Sequence, residues 1–223
     1  LAGQSFLISP PPSAEIERTR REIDAARELF LHRGWSSDPG AYHREPPPLT
    51  QPTLEVKRLR RGHRAIVYEQ LSFESGYEPH ADEPGRERWL SYAANRAGHA
   101  VVLRHAGAPR PWLVCIHGYF MGNTRFGLWI FDAIRLHRRL GINVILPVLP
   151  FHGPRKAGRF SGEGFLGGSL VDTVHAEAQS VWDLRRLLGW IRARGAPSIS
   201  VHGVSLGGYN AALLAGIEDG LSC

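Results

Sequence analysis

Two cysteines, two lysines and no apolar run longer than about ten residues set the first limits on this chain of 223 residues. Cys115 lies inside an apolar stretch and Cys223 is the last residue, so no disulfide framework is expected and a reducing, cytoplasmic setting is the default. The longest apolar stretch, from Ile142 to Phe151, is half of what a membrane span needs, so no transmembrane helix is expected. Residues 1–9 lack the basic flank and long apolar region of a secretory signal. The chain also opens without Met, which fits a fragment or a processed product. No internal repeat and no low-complexity tract is present.

The scarcity of lysine leaves the basic balance to 25 arginines, for a formal net charge of +6. A basic excess is one mark of a nucleic-acid or acidic-membrane partner. Here the arginines alternate with acids, as in Glu15, Glu17, Arg18, Arg20, Arg21, Glu22 and Asp24, which describes a solvated helix face. The densest unpaired run, Lys57, Arg58, Arg60, Arg61 and Arg64, is short, and no nucleic-acid partner is expected. A composition of 43% hydrophobic and 22% charged residues is that of an ordinary globular protein.

Residues 1–53 read as an arm. Ile16, Ile23, Ala26, Leu29 and Phe30 recur at helical spacing over residues 13–33, with Ser13 as the expected N-cap and Gly34 as the stop. Pro39, Pro46, Pro47, Pro48 and Pro52 mark residues 36–53 as a linker over a surface. An amphipathic arm of this kind leaves peripheral membrane contact open.

Residues 54–223 read as a catalytic-type domain. Strands are expected over 65–73, 100–105, 112–116, 142–149 and 198–202, with helices over 124–140, 171–194 and 205–216. The helix over 124–140 places Phe126, Trp129, Ile130, Ala133, Ile134 and Leu140 on one face. Strand and helix alternate from residue 112 onward, which implies an α/β fold with a mostly parallel sheet and helices on both faces.

The informative string is Val201-His202-Gly203-Val204-Ser205-Leu206-Gly207-Gly208-Tyr209-Asn210-Ala211-Ala212. It holds Gly-x-Ser-x-Gly between a β-branched run and a small-residue helix, the context that a nucleophile elbow needs. Gly203 and Gly207 bring no Cβ into the tight turn around Ser205. Gly208, Ala211 and Ala212 are expected to let the helix lie close to the sheet. The helix N-terminus would favour a developing oxyanion beside the serine.

A second element, His117-Gly118-Tyr119-Phe120, ends the apolar run that begins at Trp112. Its position suits the second half of an oxyanion hole, with the N–H of Tyr119 (or Phe120) facing that of Leu206. His117 and Gly118 are read as shaping the loop. A third element, Leu149-Pro150-Phe151-His152-Gly153-Pro154-Arg155, follows the next strand. Phe120, His152 and Arg155 are candidates for substrate contact, although a structural role leads for the last two.

Residues 112–217 resemble the α/β-hydrolase superfamily from its third strand to its nucleophile helix. Arg33-Gly34-Trp35, the His-Gly-Tyr turn, Gly164-Phe165-Leu166-Gly167-Gly168 and the elbow are also similar to the alpha/beta-hydrolase domain-containing protein 18 family. The resemblance implies hydrolysis of a small-molecule or lipid ester through an acyl-enzyme on Ser205, with no metal and no organic cofactor. It implies no oligomeric state.

That fold carries its acid and then its histidine after the serine, yet 18 residues follow Ser205. Glu163, Asp172, His175, Asp183, Glu218 and Asp219 are wrongly placed to stand in. Asp172, His175 and Asp183 are expected to be solvated on or beside the long helix, and Glu218 and Asp219 to close a helix. The chain is therefore expected to lack C-terminal strands, to leave an open sheet edge beside Ser205, and to be inactive alone. Two alternatives share the sequence features: an acyltransferase using the same nucleophile, and a non-catalytic binding protein on the same fold.

Overall fold

A computed structural model describes residues 12–61, 64–167 and 169–222. Three parts of the sequence reading, the start of the arm, Gly168 and Cys223, lie outside them. Six strands form one sheet: β1 (Thr53–Arg61), β2 (Arg64–Glu74), β3 (Ala97–Leu103), β4 (Trp112–Ile116), β5 (Asn143–Val148) and β6 (Ile199–Gly203). Their spatial order is β1-β2-β3-β5-β4-β6. β1, β2 and β3 run antiparallel to their neighbours, and β3 meets β5 antiparallel. β5, β4 and β6 are parallel, as the βαβ alternation requires.

The apolar runs of the central strands are continuous because both faces are covered. Side chains alternate between two cores. Ala100, Val102, Trp112, Val114, Ile116 and Ile145 face one of them, which is closed by helices α6 (Leu170–Arg192) and α7 (Leu206–Ile217). Val101, Leu103, Cys115, Val144 and Leu146 face the other, which is closed by α4 (Thr124–Ile130) and α5 (Ala133–Leu140). Cys115 is fully buried, and burial pushes its thiol up to about 12, so it is chemically quiet.

Four expectations are corrected by this packing. The single helix over 124–140 is two, broken at Asp132, whose φ is 48°. The face turned to the sheet is Gly127, Leu128, Phe131 and Ala133, so Phe126, Trp129, Ile130 and Leu140 point outward. The basic run at 57–61 belongs to a strand, β1, paired from Thr53↔Ser72 to Arg61↔Arg64. Its charges suit an edge strand, because they discourage further pairing. Finally, Asp172, His175 and Asp183 are buried rather than solvated.

The reason for that burial is a polar face on α6. Residues 172, 175, 179 and 183 recur every three or four positions and meet the segment between β2 and β3. That segment holds α3 (Arg86–Ser91) and a 3-10 turn at Ala93–Arg96. Arg88 forks onto Asp172 at 2.8 and 3.0 Å and onto Glu22 at 2.7 and 2.8 Å, while the Tyr92 hydroxyl donates to Asp172 at 2.9 Å. Asp183 accepts from Ser75 Oγ at 2.6 Å and pairs with Arg155 at 2.9 Å. His175 lies against Trp89 and reaches the Pro84 carbonyl at 2.9 Å.

The arm is tied to this same helix. The first helix, α1 (Ser13–Arg33), ends on Gly34 in the left-handed conformation, as the sequence requires, but Ser13 is its first residue rather than its cap. Leu29 and Phe30 pack with Trp35, Tyr42 and Ala178. The proline-rich stretch contains one helical turn, α2 (Pro39–Tyr42), and then crosses α6. Arg185 donates to the carbonyls of His43 and Arg44, each at 2.9 Å, and Arg186 to that of Pro47 at 3.2 Å.

Candidate active site

The chain passes from β4 to β5, then crosses back over β4 to reach β6. The strand order therefore reverses at β4, and a crevice opens beyond the carboxyl ends of β4 and β6. The two motifs singled out in the sequence, at residues 117–120 and 203–208, both sit there.

Ser205 occupies the turn from β6 into α7 with φ 54° and ψ −118°, a backbone conformation that L-residues rarely adopt. It is exposed, and its side chain does not cap the helix. Two glycines make the turn possible. A Cβ on Gly207 would lie 2.5 Å from the Ile116 carbonyl carbon and 2.7 Å from the His117 oxygen. A Cβ on Gly203 would lie 2.5 Å from the Gly208 nitrogen. Gly208 is different: a Cβ there would meet nothing nearer than 3.6 Å, and Ala212 is exposed, so neither is needed for close packing. That corrects the sequence reading for both.

The 118–121 turn lies directly against this elbow. A Cβ on Gly118 would approach the Val204 oxygen at 3.0 Å and Ser205 Cβ at 3.4 Å. The Met121 N–H closes the turn onto the Gly118 carbonyl at 3.2 Å, with Phe120 at φ 63° in the third position, as a type II turn requires. Among the described residues, the N–H groups of Leu206, Tyr119 and Phe120 have no backbone partner, whereas those of Gly207 and Gly208 bond to Val204 and Ser205.

His117 holds that turn. The Leu149 N–H donates to Nε2 at 3.1 Å, so the proton is on Nδ1, which donates to the Gly118 carbonyl at 2.9 Å. The Gly118 carbonyl and the Tyr119 N–H share one planar peptide, so this bond also fixes the direction of the Tyr119 N–H. Burial, with the nearby His152 adding to it, lowers His117 to about 3 and keeps it neutral. His152 is likewise buried and lowered to about 4, mainly by desolvation, with Nδ1 donating to the Pro150 carbonyl at 2.8 Å. Arg155 is wholly buried, donating to the Val148 and Asn95 carbonyls at 2.9 and 3.0 Å. Neither His152 nor Arg155 reaches the crevice surface, so both serve the turn after β5 and not substrate contact.

Several residues at the site carry no sequence signal. Met121 Sδ accepts from the Gly118 N–H at 3.2 Å. Ser161, in the glycine-rich loop, accepts from the Gly153 N–H at 2.9 Å and donates to the Met121 carbonyl. Phe126 and Ile130, from the outward face of α4, join Ser205 in lining a cleft of about 650 Å³.

Comparison with known proteins adds the architecture. No protein-family model matches the chain. Among solved structures, the methylesterase BT1017 superposes with a TM-score of 0.51 over 93% of this chain and 40% of that one, at 15% identity. A proposed acetyl xylan esterase from Bacteroides fragilis NCTC 9343 gives 0.50 over 92% and 50%, also at 15% identity. This chain has the α/β-hydrolase fold. Within it, Ser205 stands in the turn between β6 and α7, and residues 118–121 form the turn after β4.

Two curated relatives, Uncharacterized protein MT2702 and Uncharacterized protein Rv2627c from two strains of Mycobacterium tuberculosis, are each 46% identical over 209 residues. The match covers 93% of this chain and 49% of each relative, so the chain spans about half the length of the curated relatives it matches. The comparisons support the α/β-hydrolase fold and give no support to the narrower alpha/beta-hydrolase domain-containing protein 18 family. No helix among the described residues is long and apolar enough to cross a membrane.

Triad partners for Ser205 are not found among the described residues. His117 and His152 have their Nδ1 protons committed to carbonyls, His175 is held under α3, and His202 packs on Phe131. Glu218 receives Arg185 and Arg192 at the end of α7, and Glu163 caps its own loop through the Arg159 and Phe160 N–H groups.

Proposed function

We propose that the full-length protein is a serine-dependent ester hydrolase with Ser205 as its nucleophile. The single observation that carries this reading is an exposed serine in strained backbone packed against the 118–121 turn, with the Leu206 and Tyr119 N–H groups left without backbone partners. Strain of about 1–3 kcal/mol at one serine is retained where the surrounding fold holds it for a task. Ser205 Oγ attacks an ester carbonyl, and the Leu206 and Tyr119 N–H groups receive the oxyanion. A donor of this kind is worth roughly 10²–10³ in kcat. The alcohol leaves, an acyl-Ser205 forms, and water releases the acid.

The base that takes the serine proton, and the carboxylate that orients it, come in this reading from sequence outside the described residues. Without that base Ser205 would be a poor nucleophile at neutral pH. Transfer of the acyl group to an alcohol in place of water uses the same residues, and product analysis with an added acceptor separates the two. That no histidine among the described residues is placed as a partner for Ser205 favours one further reading, a binding protein that keeps the fold without the chemistry.

The test is hydrolysis of a simple aryl ester by the full-length protein. Ser205→Ala is expected to lower kcat by about 10⁴-fold or more while leaving the melting temperature within a few degrees. Turnover that survives this substitution, in folded protein, would move the nucleophile elsewhere.

A further inference from the structure

We infer that the cleft beside Ser205 is an acyl site for an aliphatic chain longer than acetyl, gripped between the turn at Phe120 and the outward face of α4. This rests on Ser205 being the nucleophile, since the chain is placed by its carbonyl.

The argument starts from the walls. Phe120, Met121, Phe126, Ile130 and Val204 are apolar, and Ser205 forms one end. Two further polar side chains line the cleft: Tyr119, and Asn123, whose Oδ1 accepts the Phe126 N–H at 3.2 Å as the cap of α4. A hydroxyl-rich or charged acyl group would lose water against five apolar side chains and find only the Tyr119 hydroxyl and the Asn123 amide as partners. The cleft is an open groove, and its volume of about 650 Å³ leaves room along it for far more than an acetyl group.

Two residues are placed there at a cost that packing does not explain. Phe120 is 62% exposed and also holds φ 63°, so an apolar ring and an unfavourable backbone coincide next to the oxyanion turn. Its ring leans on Tyr119 at 4.2 Å and on Phe160 at 5.3 Å, giving the cleft a rigid aromatic lip. Phe126 also lines a second hollow of about 380 Å³, between α4 and the β1–β2 hairpin, with Trp129, Leu59 and Ile66 and with Arg60 and Arg125 at its border. The apolar surface therefore continues past the first cleft over the crest of α4, along the path that a long chain would follow. Outward apolar faces of this kind mark ligand, membrane or protein-contact surfaces, and continuity with Ser205 favours the first.

The reaction remains balanced: the ester R–CO–OR′ gives acyl-Ser205 and R′–OH, and water then gives R–COOH with R in the cleft. Each methylene removed from water favours reaction by about fourfold.

The full-length protein is assayed with p-nitrophenyl esters from acetate to decanoate. The value of kcat/KM is expected to rise from acetate to hexanoate by about 10²-fold. Ile130→Arg, at a partly exposed position that burdens folding little, is expected to lower the hexanoate-to-acetate ratio by about tenfold or more. Fluorophosphonate labelling of Ser205, run beside it, tests the underlying reading by itself. Labelling with a flat or falling chain-length profile overturns the acyl-site inference and leaves the nucleophile standing. If no label forms, decanoate is titrated by calorimetry against the unlabelled protein. Binding that is lost in Ile130→Arg, with an unchanged melting temperature, supports an aliphatic site without chemistry, and no binding overturns it.

Discussion

Adjacent glycines in the elbow are expected to respond to the same substitution with opposite sign. In Gly207→Ala the new Cβ would lie 2.5 Å from the Ile116 carbonyl carbon and 2.7 Å from the His117 oxygen. Those atoms are the backbone of the last residue of β4, which is paired with β6, and of the residue after it, and they cannot swing aside as a side chain would. Overpacking costs about 1–3 kcal/mol, and contact with fixed backbone puts this case at about 3. Replacing a helical glycine returns at most about 1 kcal/mol, so the net loss is about 2. In Gly208→Ala the nearest atom is the Gly203 oxygen at 3.6 Å, an ordinary contact, so only the helix term remains and the protein gains about 0.5–1 kcal/mol. For a chain of this size each kcal/mol moves the melting temperature by about 2–4 °C. Gly207→Ala should therefore melt about 4–8 °C lower and Gly208→Ala about 1–4 °C higher. Guanidinium denaturation of the two variants should shift the midpoint in opposite directions at unchanged m-value. Equal shifts, or a Gly207→Ala protein as stable as the parent, would refute the close packing of α7 on β4 from which the site is built.

Other expectations concern strain, titration and the buried ion pair. Ser205→Gly removes the nucleophile but also relieves the φ 54° backbone, and is expected to raise stability by about 1 kcal/mol net of the added chain entropy. A denaturation midpoint below that of the parent would contradict the strain. His117 and His152, lowered to about 3 and about 4 by burial, are neutral when folded and protonate near 6.5 when unfolded. Their contribution to stability is full above pH 6.5 and is lost as pH falls toward 4, so the midpoint should decline over that window and His152→Gln should flatten the decline. A profile unchanged by His152→Gln would count against it. Asp183→Ala strands a wholly buried Arg155 and should cost about 3–5 kcal/mol in a denaturant titration, and a loss below 1 would refute the pairing.

The elbow was legible in the sequence because its chemistry is local: a β-branched run, Gly-x-Ser-x-Gly and a helix lie within a dozen residues. The strands β4 and β5 were legible for a related reason, since burial on both faces leaves unbroken apolar runs, whereas β6 was found through the elbow that follows it. Features that depend on distant partners were not. Asp172 and Asp183 look like ordinary helix-surface acids until Arg88, 84 residues away, and Ser75, 108 away, arrive from the other side. β1 was hidden by the arginines that suit it to a sheet edge. The break at Asp132 was masked because α4 is apolar on two sides, one for the core and one for the cleft. Gly208 resembled its neighbour in sequence and differs only in what faces it.

Covalent labelling of the full-length protein with a fluorophosphonate, read by intact mass beside Ser205→Ala, tests the central claim most directly. A single adduct on the parent and none on the variant is the predicted result. A folded parent that takes no adduct, or a variant that takes the same one, would contradict Ser205 as an activated nucleophile.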